Sequence, residues 1–372
     1  MQSAGDVCAL STFRIKPTPK LLMKDRTKVA DPSTLPGELG TSIPRHPGLA
    51  PEAPAPDLDP IGCELKLPLA GVFYPLGFAV EIATNCADVL AAAHENWRSF
   101  QQQFSTPPVQ LRIAVSKETA RQCPPPPTCR GQRNLVMFVA SAHDFAVCDL
   151  TTGFASCWLL ESTVESDAYV RYHFLDAMAL LLIEALYLTP IHAACVSLNE
   201  RGLLLCGDSG AGKSSLSYAC ARRGWTFVSD DASFLVRGGK GSVVVGNPYH
   251  LHFRESATEL FAELRSHELT ARINGEIAIE LATARMPHMN TASQSQIDFL
   301  IFLNRRPSGP PALQPFSKAR ASAMLEQVIC YGEQHLRDAQ KSALQELLRG
   351  EVLELQYSSL DSAVACLEGL LQ

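Results

Sequence analysis

The sequence lacks the features that would place a protein in a membrane, in the secretory pathway or on nucleic acid. Its longest apolar run, residues 174–188, carries Asp176 and Glu184 and is shorter than the roughly 20 apolar residues that span a bilayer. The first residues lack the basic region and apolar core of a secretory signal. A net charge of −6 gives no electrostatic reason to bind nucleic acid or an anionic membrane. We therefore expect no nucleic-acid partner, no membrane and a cytoplasmic location with reduced thiols.

The twelve cysteines also lack a recognisable metal motif. Cys123 and Cys129 flank a run of four prolines, but no second cysteine or histidine pair has a metal-binding spacing. One interpretation is half of a metal site, and the other is a stiff surface loop with reduced thiols. The pattern favours the surface loop.

Prolines set the first part of the chain apart from the rest. Residues 17–60 contain ten prolines and few large apolar residues, and the stretch at 49–60 is expected to be extended, without a helix or a central strand. A spacer is the preferred interpretation, and a PxxP ligand for another protein is the alternative. We predict an extended proline-rich segment at 1–60, an α+β domain at 61–188 and a catalytic domain at 189–372.

Periodicity predicts strands and helices in both folded regions. In the first region we expect strands at 63–67, 78–82, 110–115, 134–140, 145–150 and 155–160, and helices at 86–104 and 162–188. In the second region we expect strands at 193–198, 203–206, 225–228, 233–236, 243–245, 276–281, 298–303 and 352–357. Further helices are expected from Lys213 and at 255–264, 317–329, 335–348 and 361–371. The fold class is a mixture of α+β and α/β.

The clearest motif is the glycine-rich loop GDSGAGKS at residues 207–214, between an apolar strand and a helix. It matches GxxxxGK[ST], in which main-chain N–H groups cradle phosphate oxygens beside the positive end of a helix. Lys213 is expected to reach the β- and γ-phosphates, and the Ser214 hydroxyl to bind Mg²⁺. The residues expected to bind the nucleotide are Gly207, Asp208, Ser209, Gly210, Ala211, Gly212, Lys213, Ser214 and Ser215. The loop alone leaves ATP, GTP and pyrophosphate open.

Two acids and a histidine are expected to complete the site. Asp230 and Asp231 end the strand that follows the loop and its helix. We expect that strand to lie next to the first, so that one carboxylate can bind Mg²⁺ and the other can accept a proton from an attacking hydroxyl. His192 precedes a strand that should pair near the loop. A catalytic histidine and a hydrogen-bonded core histidine both remain open for it.

Residues 191–231 resemble the catalytic domain of the bacterial HPr serine kinase/phosphorylase family. That family has a histidine-bearing strand, the loop GDSGxGKS, a helix ending in Arg-Gly and a strand ending in Asp-Asp. The corresponding residues here are His192, 207–214, Arg223-Gly224 and Asp230-Asp231. The resemblance implies a P-loop domain with a phosphoenolpyruvate carboxykinase-like fold, in which the loop lies in a mixed or antiparallel β structure.

The same resemblance implies roles for the site residues. Asp230 would accept the proton of a serine hydroxyl, Asp231 and Ser214 would contact Mg²⁺, and His192 would lie near the phosphates. Because HPr kinases form hexamers, a homo-oligomer is also implied. One departure is that the family's second signature, similar to Glu-Ile-Arg-Gly-Leu-Gly, has no clear counterpart. The nearest stretch, 274–280, lacks its arginine and the following glycines.

The leading hypothesis is an ATP-dependent kinase that phosphorylates a hydroxyl, either a serine in a protein or free serine. Asp230, Lys213 and His192 are its catalytic candidates. One alternative is an ATP-binding regulator or scaffold with little phosphoryl transfer. Another is phosphoryl transfer of the carboxykinase type to a carboxylic acid, with His192 as a metal ligand.

A further stretch, GNPYHLHFRES, contains polar residues at alternating positions. His250, His252 and Arg254 fall on one side of a regular strand. An exposed polar face is the favoured interpretation for the two histidines. Arg254 is the candidate for stabilising charge on a transferring phosphoryl group.

Overall fold

Three β-sheets organise the part of the chain that the structure, a computed structural model, describes. The described residues are 65–118, 123–239, 241–271, 277–286, 288–329 and 331–372. The proline-rich segment predicted at 17–60 therefore lies outside the described residues. Residues 66–372 belong to one compact unit. The fold mixes parallel and antiparallel pairing, which confirms the mixed α and β class at that level.

The first sheet has seven strands in the order β1-β2-β3-β7-β6-β5-β4. Its elements are β1 (Leu69–Phe73), β2 (Val80–Thr84), α1 (Ala87–Trp97), β3 (Val109–Ser116), β4 (Thr128–Gln132), β5 (Leu135–Val139), β6 (Phe145–Asp149) and β7 (Phe154–Leu160). The pairs β2–β3 and β3–β7 are parallel, with α1 as the crossover between β2 and β3. The predicted strands from 110 to 160 are confirmed, and the helix predicted at 86–104 ends at Trp97.

The helix predicted at 162–188 is confirmed as helical structure but not as one continuous helix. The chain forms α2 (Glu161–Val164), α3 (Asp167–Val170), a π-helical turn (Arg171–Asp176) and α4 (Ala177–Leu186), and a strand begins at Leu188. All six residues of the π-helical turn are buried. A helical segment that is buried on every side has no solvent-facing polar stripe. Without that stripe, the spacing of polar and apolar residues in the sequence cannot show where the helical register changes.

Asp176, in the π-helical turn, is expected to make the folded protein less stable as the pH rises from about 4 to about 7. Its Oδ1 accepts hydrogen bonds from Asn96 Nδ2 at 2.7 Å and Trp97 Nε1 at 2.9 Å. Burial outweighs these bonds and raises the pKa from 3.8 to about 7. In this window the unfolded chain releases the proton and the folded chain keeps it, so stability falls by up to about 1.4 kcal/mol per pH unit.

The variant Asp176→Asn removes this titration. Urea unfolding of the variant and the wild type at about pH 4.5 and about pH 7.5 measures the difference in unfolding free energy. Glu184, whose pKa burial also raises to about 7, contributes equally to both proteins and cancels. The difference should shift in favour of the variant at the higher pH. A difference that does not depend on pH would contradict this account.

The second sheet contains the glycine-rich loop. The elements from residue 188 to 282 are β8 (Leu188–Ile191), β9 (Ala193–Leu198), β10 (Arg201–Cys206), α5 (Lys213–Arg222), β11 (Thr226–Ser229), β12 (Ser233–Val236), β13 (Val243–Gly246), β14 (His250–Phe253), β15 (Thr270–Ala271) and β16 (Ile277–Ala282). They are followed by β17 (Asn290–Thr291), β18 (Gln294–Arg305), β19 (Ala312–Pro315), α6 (Lys318–Leu325), α7 (Gln334–Leu347), β20 (Glu351–Tyr357) and α8 (Leu360–Leu371). The order is β17-β11-β9-β10-β18-β13-β12-β8, with β20 pairing to β18 and β19, while β14, β16 and β15 form a small third sheet.

Strand pairing corrects one expectation about the loop. The strand after the loop, β11, was expected beside β10, but β9 lies between them and is antiparallel to both. On its other side β10 is parallel to β18. The loop thus follows a strand of a mixed sheet. β18 is central in this sheet, as the unbroken apolar run of β18 predicts.

The helix predicted at 255–264 is also wrong. Two short 3-10 turns occupy Glu255–Glu259 and Ala262–Ser266, and Phe261 between them has an extended backbone. Ala257, Phe261 and Leu264 are buried at the spacing of a helical apolar stripe, but the extended backbone at Phe261 divides the segment into two separate turns.

The core beneath the first sheet continues into the second. Leu188, Phe234 and Val245 belong to the same buried cluster as the residues of β2, β3 and α4. The boundary predicted at residue 188 stays a prediction. Among the described residues, no helix combines the length and the apolar character needed to cross a bilayer.

Candidate functional site

Three strand ends meet at one edge of the second sheet. Because β9 is antiparallel to β10 and β11, its start lies beside the ends of both neighbours. His192 immediately precedes β9, Gly207 follows β10 and Asp230 follows β11. The tertiary structure thus brings together the three parts predicted for the site, through a strand order different from the expected one.

The glycine-rich loop leaves β10 in a conformation that requires glycine. Gly207 has φ 155° and Gly212 has φ 97°. A Cβ at Gly212 would lie 2.8 Å from the Tyr357 hydroxyl, and a Cβ at Gly207 would lie 2.8 Å from the Cβ of Ala211. Helix α5 begins directly after Gly212, and no side chain in the described part of the chain caps its first turn. The main-chain N–H groups in the first turn of α5, and with them the positive end of the helix dipole, therefore face the loop.

Tyr357 is a site residue that sequence reasoning missed. It ends β20, its side chain is buried, and its hydroxyl donates to the Ala211 carbonyl at 3.2 Å. Parallel pairing of β18 with both β10 and β20 brings this tyrosine under the loop. No local signal connects residues 146 positions apart in the sequence.

Lys213 lies along the inside of the loop and is almost fully buried. Its Nζ donates to the carbonyls of Gly207 at 3.0 Å and Asp208 at 3.3 Å. The same nitrogen lies 2.9 Å from His192 Nε2 and 3.4 Å from Asp231 Oδ1. The ammonium group therefore lies between the loop and the acid pair, and its contact with the β- and γ-phosphates stays a prediction.

His192 bridges Lys213 and Asp231. A lysine ammonium group has only donors, so His192 Nε2 accepts from it and the ring hydrogen sits on Nδ1. That nitrogen lies 3.3 Å from Asp231 Oδ1, where it can donate. The ring is thus hydrogen-bonded to two predicted site residues, and its catalytic role stays a prediction.

A pair of buried serines anchors the turn that carries the acids. Ser233 Oγ donates to the Ala193 carbonyl at 2.9 Å. It therefore accepts from Ser229 Oγ, which lies 2.6 Å away. These bonds tie the end of β11 and the start of β12 to the start of β9, and the turn with Asp230 and Asp231 is held beside His192.

The two acids have different surroundings. The Asp231 side chain is 28% exposed and contacts Lys213 and His192. The Asp230 side chain is 7% exposed, and its Oδ2 contacts His252. Asp231 thus lies next to the loop lysine, whereas Asp230 is held from the opposite side by the third sheet.

Strand β14 contributes to the site more than its sequence indicated. The exposed polar face expected for its histidines is wrong. His250 Nδ1 lies 2.9 Å from Glu280 Oε1 with both side chains largely buried, and His252 contacts Asp230. Arg254 lies just beyond the strand and donates from Nη2 to Ser209 Oγ at 2.8 Å. The alternation was visible in the sequence, but the partners of the two histidines were not.

The remaining loop residues occupy the rim of the site. Asp208, Ser209 and Gly210 are exposed, and Ser214 and Ser215 lie half-buried in the first turn of α5. Ser214 Oγ is 3.5 Å from the main-chain oxygen of Asp230. The hydroxyl predicted to bind Mg²⁺ therefore lies at the start of the acid pair.

Two other features lie apart from this site. Cys129 is on β4 and Cys123 is exposed, and the described residues contain no cluster of three or more side chains suited to a metal ion. A cavity of about 780 Å³ is lined by residues near the β4–β5 turn and the start of α7, including Arg133, Tyr331 and Arg337. None of its lining residues belongs to the loop or the acid pair.

Comparison with known proteins shows a weak likeness at the level of solved structures. No protein-family model matches the chain, and no curated protein matches it in sequence. Among solved structures, the Hpr(Ser) kinase/phosphatase from Coxiella burnetii aligns with a TM-score of 0.29 and 14% identity, over 49% of this chain and 90% of that chain. At this level the likeness carries no argument about activity, which has to come from the site itself.

Proposed function

We propose that this protein is an ATP-dependent kinase that transfers the γ-phosphoryl group to a hydroxyl, on a serine residue of a protein or on free serine. One observation carries the proposal: Lys213, Asp231 and His192 contact one another at the mouth of a GxxxxGK[ST] loop, with Asp230 beside them. Phosphoryl transfer needs positioning and electrostatic stabilisation more than covalent chemistry, and this arrangement supplies both.

The loop would bind the phosphates. Its main-chain N–H groups and the start of α5 form an anion site. Lys213 already lies against the Gly207 and Asp208 carbonyls, so little side-chain freedom remains to be lost when phosphate binds. Arg254, held at the rim by Ser209, adds a second positive charge that can stabilise the transferring group.

The oxygen donors near the loop suit Mg²⁺. Mg²⁺ is usually held by one or two protein oxygens together with phosphate oxygens and water, so a site without three clustered protein ligands fits it. Asp231 and Ser214 would hold the ion. When bound, Mg²⁺ would neutralise the charge that develops on the phosphate oxygens.

Asp230 would accept the proton of the attacking hydroxyl. Its carboxylate is buried next to the acid that lies on Lys213, and it is anchored by hydrogen bonds from His252. A carboxylate held in one orientation can take the proton as the oxygen attacks phosphorus in line. The choice of a serine acceptor rests on the sequence resemblance, and the homo-oligomer expected from it stays a prediction.

Incubation with γ-labelled ATP and Mg²⁺ tests this function. We expect the wild type to transfer label to free L-serine or to one protein of a cytosolic extract, and Lys213→Ala to transfer much less. Calorimetry on the same wild-type sample measures ATP binding. If ATP binds and no label reaches serine, extract protein or a carboxylic acid, the kinase proposal is overturned in favour of an ATP-binding regulator.

A further inference from the structure

The carboxylate of Asp230 receives two hydrogen bonds from a single residue of β14. The main-chain N–H of His252 donates to Asp230 Oδ2 at 2.8 Å, and His252 Nδ1 lies 3.0 Å from the same oxygen. Both side chains are at least nine-tenths buried. Hydrogen bonds to an ionised carboxylate in a water-poor environment are stronger than neutral ones. Two donors on one oxygen fix both the position of the carboxylate and its rotation.

The pairing also determines the state of the His252 ring. An ionised carboxylate can only accept, so Nδ1 carries the hydrogen that faces Asp230. His252 Nε2 is buried and has no hydrogen-bond partner among the described residues. The position of the ring hydrogen is therefore set by Asp230.

The third sheet supplies an independent constraint on His252. β14 pairs with β16 along its whole length, with His252 opposite Glu280. Glu280 nevertheless contacts His250, two residues earlier on the same face of β14. His250 and His252 thus share a strand, a face and a degree of burial, but only His252 reaches Asp230.

We propose that His252 is a positioning residue that holds Asp230 in the orientation needed to accept the proton of the attacking hydroxyl. This rests on the proposed kinase function and extends it to a residue outside the loop and acid-pair motifs. His252 acts through Asp230 and not through the nucleotide. Its loss should therefore change the rate of transfer and leave the binding of ATP unchanged.

Kinetics of single variants test the role. We expect His252→Ala to lower kcat for transfer from ATP to the labelled acceptor by about 10- to 100-fold, with the Kd for MgATP near the wild-type value. His252→Asn should recover part of the lost rate, because its side-chain amide can donate to Asp230. The matched control His250→Ala should keep the wild-type kcat. The proposal is overturned if His252→Ala keeps the wild-type kcat, or if both histidine variants lose rate equally.

A spectroscopic measurement separates this proposal from the kinase function itself. With ¹⁵N-labelled histidine rings, the wild type should show an Nδ1-protonated histidine whose signal disappears in His252→Asn. In Asp230→Ala that ring should lose its fixed tautomer. If the wild type transfers label to neither free L-serine nor an extract protein, the proposed kinase function is wrong. The spectrum still shows in that case whether His252 holds Asp230. An unchanged His252 signal in Asp230→Ala would overturn the pairing.

Discussion

Replacing Asp230 with asparagine is expected to lower the rate of phosphoryl transfer by about 10²- to 10⁴-fold, the contribution typical of a positioned general base. Asparagine has nearly the same shape, and its carbonyl oxygen can still accept the hydrogen bonds that His252 gives to Asp230 Oδ2. The variant therefore keeps the geometry of the site and loses only the capacity to take up a proton. Initial rates of label transfer from γ-labelled ATP measure the effect.

Binding and folding controls make this result specific. The affinity for MgATP, measured by calorimetry, should remain near the wild-type value, because the proposal assigns the phosphate contacts to Lys213 and the loop. Asp88→Asn, which removes a carboxylate from the exposed side of α1, should transfer at the wild-type rate. Full transfer activity in Asp230→Asn would show that another group accepts the proton.

Replacing Lys213 with alanine should have the second largest effect. A hydrogen bond from a charged donor contributes about 1.5–3 kcal/mol, so losing the contact with the phosphates should weaken MgATP binding by about 10- to 100-fold. The rate of transfer should fall further, because in the proposed mechanism the ammonium group also stabilises the charge on the transferring group. Calorimetric titration with MgATP gives the first quantity and label transfer gives the second.

The structure shows what else this substitution removes. Lys213 is 5% exposed, and its Nζ contacts two loop carbonyls, His192 and Asp231. Thermal unfolding of the variant must therefore accompany the binding data. Lys318→Ala is the matched control, because it removes an exposed lysine of α6 whose Nζ donates to the Arg349 carbonyl at 3.2 Å. Wild-type affinity in a folded Lys213→Ala protein would exclude the proposed role.

Local sequence determines the parts of the site that are contiguous. The strand, the loop from Gly207 to Ser214 and helix α5 follow one another in the chain, so apolar content, glycine and helix periodicity suffice to predict them. β11 and the acid pair at its end were located in the same way. For these segments the structure changes only the element ends, by one or two residues.

Non-local pairing explains where sequence reasoning was wrong. The insertion of β9 between β10 and β11 depends on which strands pair, and no single segment records that choice. The exposed face expected for His250 and His252 failed because Glu280 and Asp230 come from other strands. The π-helical turn at Arg171–Asp176 was hidden because burial on all sides removes the stripe that periodicity detects.

The sequence by itself determined the contiguous half of the proposed site: a glycine-rich loop that starts a helix, a lysine at its end and an acid pair at the next strand end. Only the tertiary structure decided which groups surround that loop. The antiparallel β9 brings His192 to Lys213 and Asp231, β20 brings Tyr357 under the loop, and β14 brings His252 to Asp230. The physical reason is that a phosphate loop is built from consecutive main-chain groups, whereas the groups that orient a base are side chains from strands that meet only when the sheets form.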